Sequence, residues 1–234
     1  MSRKKTVIMI SGRGSNMLAL LEAASDPAFP AEIAGVISDN PDAPGLVIAG
    51  QRKISLRVVP RADFASKEVH DDAIDAALHA FGAEIVALAG YMRLLTPDFV
   101  ERWQGRMINI HPALLPLFRG LDTHRRAIEA GVRLHGCTVH FVTPEMDSGP
   151  IIAQAAVPVL ANDSEETLAQ RVLKAEHQLY PLALRLVADS RVRMEDGRTL
   201  FDLGHDVERA SPMLIAPDLR PAEPNLEDLA RFTP

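Results

Sequence analysis

The sequence predicts an α/β fold: a doubly wound, mainly parallel sheet in the first half of the chain, with mixed strands in the second. Three observations carry this expectation. Short apolar runs alternate with longer segments of helical period from Thr6 to Ala130. A glycine-rich turn, Ser11-Gly12-Arg13-Gly14-Ser15-Asn16, follows the first apolar run directly. A later run, Met107 to His111, ends in Asn109-Ile110-His111-Pro112 and so carries two polar side chains on an otherwise apolar strand.

Thr6 to Ile10 reads as a short, continuous apolar strand, and Asn16 to Ala24 as the helix after the turn. A glycine-rich strand-to-helix turn exposes backbone N–H groups at the positive end of a helix dipole, which is a phosphate site in physical terms. A tight turn with an N-cap would leave the same trace. The dinucleotide fingerprint needs a third glycine where Met17 stands, and no Gly-Lys-Ser/Thr follows, so a nicotinamide cofactor and a P-loop are both disfavoured. Ile33 to Ser38 is the second strand, ending at Asp39-Asn40-Pro41. Gly45 to Arg52 is a short helix, and Leu56 to Val59 the third strand. From Asp63 to Ala80, Phe64, Val69, Ala73, Ala76, Ala77 and Ala80 make the apolar face of a helix. Ile85 to Leu88 is the fourth strand. It runs into Ala89-Gly90-Tyr91-Met92-Arg93-Leu94-Leu95, an apolar loop that reads as a pocket wall, or as ordinary packing with Arg93 at the surface. Thr96 caps the next helix, with Pro97 at its first position.

In the central strand, Asn109 and His111 are two residues apart and point to the same side. Pro112 ends the strand. A histidine at a strand end with an amide on the same face suits proton transfer and oxyanion stabilisation; a satisfied core histidine beside a turn asparagine is the plainer reading. Thr123 to Ala130 is a helix stopped by Gly131, and Gly136 to Val142 a strand. Residues 143–149 are a loop, and Pro150 to Leu160 the returning strand. Asp163 or Ser164 caps a long helix to Ala188 with the stripe Leu168, Val172, Ala175, Leu179, Leu182, Leu186; Glu176 lies beside it and reads as a salt-bridge former. Arg191 to Met194 and Arg198 to Phe201 form a hairpin around Asp196-Gly197. Ligands of such sheets bind at the carboxyl ends of the strands, so the glycine turn, Arg93, Asn109, His111 and the Asp147 loop are expected along one edge.

Composition narrows the function. The net charge of −6 argues against a protein built to grip nucleic acid. One cysteine, Cys137, allows no internal disulfide and suits a reducing cytoplasm; in its apolar run it reads as a core residue. No apolar run is long enough to span a membrane, and no Cys/His cluster has zinc spacing, so neither membrane nor metal is expected.

Ile-Ser-Gly-Arg-Gly-Ser-Asn, Leu-Ala-Gly-Tyr-Met-Arg-Leu-Leu, Asn-Ile-His-Pro-Ala-Leu-Leu-Pro, His-Gly-Cys-Thr-Val-His-Phe-Val and Asp-Ser-Gly-Pro-Ile-Ile together resemble the phosphoribosylglycinamide formyltransferases, a branch of the folate-dependent formyltransferase family. The resemblance covers about residues 6 to 190. It implies transfer of a formyl group from 10-formyltetrahydrofolate, as co-substrate, to the amino group of glycinamide ribonucleotide in purine synthesis. It also implies roles by position. Gly14, Ser15 and Asn16 would hold the substrate phosphate, and Glu176 would contact the glycinamide end. Asn109, His111 and Asp147 would be catalytic. Lys67, Met92, Arg93, Leu94, Leu95, Asn109, Thr143, Pro144, Glu145, Met146 and Asp147 would contact the folate. Lys67 stands where relatives carry an arginine, and Pro144 where the family signature has an acidic or small apolar residue. The expected organisation is a catalytic domain over 1–203, with a phosphate-binding half to about 100 and a folate-binding, catalytic half after it, then an extended or disordered tail over 204–234. Partners are the two small-molecule substrates and no nucleic acid; a homodimer is compatible with the sequence. A formyltetrahydrofolate hydrolase would be expected to carry a domain before the glycine turn, and a tRNA formylase one after residue 200. A non-catalytic folate- or nucleotide-binding sensor would not need the Asn109, His111 and Asp147 set.

Overall fold

A computed structural model describes residues 2–202. The 204–234 tail expectation lies outside the described residues. A seven-stranded sheet runs in the order β3-β2-β1-β4-β5-β6-β7, where β1 is Lys4–Ile10, β2 Ala31–Ser38, β3 Leu56–Val58, β4 Ile85–Leu88, β5 Met107–His111, β6 Leu134–Phe141 and β7 Ile151–Pro158. The first five strands are mutually parallel, while β6 pairs antiparallel with both β5 and β7. The mainly parallel sheet with mixed strands in its second half is thus present. Its strand order reverses between β1 and β4, which opens a crevice at their carboxyl ends.

Helices cover both faces, as a parallel sheet requires. On one face Ile8, Ile10, Ile108 and Ile110 pack with α1 (Ser15–Ala24) and α6 (Glu165–Ala188). On the other, Val7, Met9, Val86 and Met107 pack with Ile74 and Leu78 of α3 (Lys67–Ala80) and with Phe99 and Trp103 at α4 (Pro97–Arg102). Two shorter helices, α2 (Pro44–Gln51) and α5 (Thr123–Glu129), and the hairpin of β8 (Val192–Glu195) and β9 (Arg198–Phe201) complete the chain. Cys137 is fully buried in the core.

Two helical faces differ from the sequence reading. In α3 the buried residues are His70, Asp71, Ile74, Ala77 and Leu78, whereas Val69 is half exposed and Ala76 and Ala80 face solvent. Polar residues entered the core because each has a backbone partner: His70 Nε2 meets the Val59 carbonyl at 2.8 Å, and Asp71 accepts from the Thr96 amide at 2.7 Å. In α6, Leu182 is half exposed and Tyr180 takes the buried position instead. The Tyr180 hydroxyl reaches the carbonyls of Leu88 and Ile108 at 2.9 and 3.3 Å.

The 142–150 connection starts at the opposite edge, although Asp147 reaches the expected one. Because β6 is antiparallel, its end lies beside the amino end of β5: Val142 N donates to Met107 O at 2.9 Å. The loop folds back along β5 to bring Asp147 to His111. Its base is tight. A Cβ on Gly149 would lie 1.7 Å from the Phe141 carbonyl oxygen. Gly149→Ala must therefore pry β7 from β6, and a loss of about 3 kcal/mol is expected. An unchanged urea midpoint would show that this base can yield.

Candidate active site

The acceptor half begins at the glycine turn. Gly14 sits at φ 74, in the left-handed region, and caps α1. A Cβ there would meet Met17 Cε at 2.9 Å and Gly45 Cα at 3.0 Å, so space and backbone both demand glycine. The helix starts at Ser15, one residue earlier than the sequence suggested, and has no acidic residue in its first turn. The leading N–H groups of a helix lack intrahelical partners and are compatible with an anion.

Asn16 Nδ2 donates to Glu176 Oε2 at 2.7 Å. Glu176 is therefore on the buried face of α6 rather than at its edge, only 6% exposed, and its partner is an amide rather than a cation. Asn16 Oδ1 is buried without a hydrogen-bond partner. The two side chains together leave acceptors that call for N–H or O–H donors from a ligand. Burial holds the Glu176 carboxyl above its ordinary range, partly offset by the Asn16 bond. The folded chain thus binds this proton more tightly than the unfolded chain, so the stabilising contribution is full below about pH 4.3 and is lost as pH rises through the folded value. Glu176→Gln is expected to raise the melting temperature at pH 8 and to leave it unchanged at acid pH. No gain at pH 8 would mean the carboxylate is not held against its desolvation.

The catalytic half is built on β5 and β6. His111 Nδ1 lies 3.4 Å from Asp147 Oδ2, and His111 Nε2 lies 3.0 Å from the Phe118 carbonyl. Both ring nitrogens face acceptors. Asp147 is held at φ 50, and its Oδ2 also accepts from Gly120 N at 2.9 Å. Aspartate tolerates this left-handed backbone better than most residues. Asn109 Nδ2 lies 3.3 Å from His140 Nε2, and His140 Nδ1 lies 2.8 Å from the Phe141 carbonyl. With Nδ1 donating to that carbonyl, Nε2 accepts from Asn109. Burial lowers the His140 pKa and favours this neutral form. Asp147 Oδ1 stands 3.9 Å from the same His140 Nε2.

Thr138 and His140 escaped the sequence reading. Thr138 is fully buried; its hydroxyl donates to Ala113 O at 2.7 Å and accepts from Leu115 N at 3.0 Å, which anchors the chain just after His111. The signal was present: Thr138 and His140 alternate along an apolar strand as Asn109 and His111 do, and the register pairs Asn109 with His140 and His111 with Thr138.

The residues expected around a folate fall into two loops. Met92 and Leu94 are each 67% exposed, and Leu95 is partly buried. Arg93 is not a free surface residue: its Nε donates to Asp39 Oδ2 at 2.8 Å. In the second loop, Met146 is half exposed and Pro144 and Glu145 face solvent. Thr143 Oγ1 donates to Glu145 O at 3.3 Å, and Glu145 pairs with Arg119 at 3.3 Å. Lys67 is the first residue of α3, after the Ser66 cap, and makes no hydrogen bond or ion pair among the described residues. The structure does not join it to either loop.

A glycine turn at the first strand, a His–carboxylate pair at a central strand end, and an asparagine beside it define an α/β enzyme of the group-transfer class. The chain belongs to the formyl transferase family, whose profile matches residues 4–184. It is 43% identical over 199 residues to the phosphoribosylglycinamide formyltransferase of Haemophilus influenzae, covering 85% of this chain and 94% of that protein. The crystal structure of phosphoribosylglycinamide formyltransferase from Brucella melitensis superposes with a TM-score of 0.78 at 59% identity, covering 80% of this chain and 96% of that one. The trifunctional purine biosynthetic protein adenosine-3 of Gallus gallus is 44% identical over 193 residues, 82% of this chain, but the chain spans only 19% of its length.

Proposed function

We propose that this protein transfers the formyl group of 10-formyltetrahydrofolate to the amino group of glycinamide ribonucleotide, as a cytoplasmic enzyme of purine synthesis. The observation that carries this reading is the convergence of His111, Asp147 and Asn109, at 3.4 Å between the histidine and the carboxylate, on a family fold. Among the described residues no helix is long and apolar enough to cross a membrane.

The chain's own groups suffice for direct acyl transfer. The attacking amine must be neutral, and the formyl oxygen becomes an oxyanion in the tetrahedral intermediate. Asn109 Nδ2 and His111 Nε2 are the donors for that oxygen, which would replace His140 and the Phe118 carbonyl as their present partners. Collapse of the intermediate re-forms the carbonyl and breaks the bond from the formyl carbon to the folate nitrogen; the proton lost by the amine passes through His111 to that nitrogen, and tetrahydrofolate leaves. Asp147 orients the His111 ring and balances its charge. The Gly14, Ser15 and Asn16 turn takes the acceptor phosphate, and Glu176 with Asn16 takes donors of the glycinamide ribonucleotide. Met92, Arg93, Leu94, Leu95 and the 143–147 loop flank the folate. Residues 1–203 form the catalytic unit.

Purified protein mixed with 10-formyltetrahydrofolate tests this by folate absorbance. Turnover should begin only when glycinamide ribonucleotide is added. Equal turnover with water alone would leave a hydrolase, and binding without turnover a sensor.

A further inference from the structure

We infer that Asp39 is a positioning residue that fixes the 92–95 loop for folate binding and ties it to the phosphate turn. This rests on the folate reading of that loop. Asp39 directly follows β2, its side chain is 5% exposed, and both carboxylate oxygens are used within the protein. Oδ1 accepts from Ser11 Oγ at 2.6 Å, and Oδ2 accepts from Arg93 Nε at 2.8 Å. The same Ser11 hydroxyl accepts from Met92 N at 2.9 Å, and Ser11 N donates to Gly90 O at 3.1 Å. Asn40 Nδ2 closes the network on Ser11 O at 3.2 Å.

In dinucleotide-binding folds a carboxylate at the end of the second strand faces a ribose hydroxyl. Here it is turned onto the protein. Its first partner, Ser11, opens the glycine turn; its second, Arg93, sits between the two most exposed apolar side chains of the loop, Met92 and Leu94. The far end of the loop is pinned independently, by Asp71 on the Thr96 amide. A loop held by buried carboxylates at both ends can display Met92 and Leu94 to water without collapsing onto the sheet. The front carboxylate alone also touches the residue that starts the acceptor turn, so it joins the two substrate sites.

Asp39→Asn keeps the volume but removes the charge and one acceptor. Calorimetric titration with tetrahydrofolate should show a dissociation constant raised about 10-fold, since hydrogen bonds to a charged group are the strong ones. The KM for 10-formyltetrahydrofolate should rise equally, with kcat within about threefold. Arg93→Met should weaken folate binding in the native background but add little in the Asp39→Asn background. Ser11→Ala, which spares the carboxylate–guanidinium pair, should give a smaller rise and decides the matter if Asp39→Asn does not fold. A variant that loses melting temperature and kcat at unchanged folate affinity would overturn the inference and leave Asp39 merely structural. If the unaltered protein itself fails to bind tetrahydrofolate, the folate reading falls instead.

Discussion

His111→Ala should lower kcat by about 10²- to 10⁴-fold, the range for a positioned general acid–base group, while both substrates still bind. The expectation follows from what surrounds the ring. The Phe118 carbonyl meets Nε2 at 3.0 Å and the Asp147 carboxylate stands 3.4 Å from Nδ1, so the ring is oriented before substrate arrives. In the proposed mechanism it acts only on the charge and the proton that move in the transition state, so its loss should fall on kcat rather than KM. Asn109→Ala should cost about 10²-fold or more by the same argument, as the loss of one oxyanion donor. Asp147→Asn should cost less, because the Gly120 amide can still anchor the side chain. Single-turnover rates with saturating substrates check all three. Near-normal turnover of His111→Ala would remove the histidine from the chemistry.

The parts of this site that were legible in the sequence are those whose signal is local. Asn109 and His111 could be read from an alternation and a terminating proline, and the glycine turn from its place after a strand. Cys137 could be read as core from its apolar run. What escaped depends on distant partners. Asp39 looks like a turn residue until Ser11 and Arg93 are seen on it. Asp71 and His70 are polar, and only the Thr96 amide and the Val59 carbonyl explain their burial. Glu176 lay one position from the aliphatic stripe, and an aliphatic count cannot tell that the helix turns its Glu176–Tyr180 side inward. Asp147 does reach the expected edge beside His111, but its route there is not written in a strand's own residues: an antiparallel β6 starts the loop at the opposite end, and the loop folds back along β5. His140 and Thr138 carried the same alternation that singled out Asn109, but they matter only through the β5–β6 register.

Ser15→Asp should raise the KM for glycinamide ribonucleotide by about 10-fold or more and leave the folate constants nearly unchanged. Ser15 is the first residue of α1, after the left-handed Gly14 and with no acidic residue in the first turn. An aspartate there would set a charge beside the ligand phosphate. At about 4 Å the repulsion is roughly 1 kcal/mol in water and 4 kcal/mol near a protein surface, and a tenfold change needs about 1.4 kcal/mol. The alternation of β5 makes this a test of the whole reaction. Ile108 and Ile110 pack on the α1 and α6 side, whereas Asn109 and His111 point to the other face. An acceptor held by the α1 turn and Glu176 must therefore cross the carboxyl edge of the sheet to present its amine to His111. A two-ended grip converts that reach into a near-unimolecular attack. Water needs no such grip. A hydrolase would thus lose nothing on Ser15→Asp, while a transferase would lose its acceptor at low concentration and recover it at high. Deformylation that proceeds without glycinamide ribonucleotide and ignores the Ser15 change would sink the transferase reading.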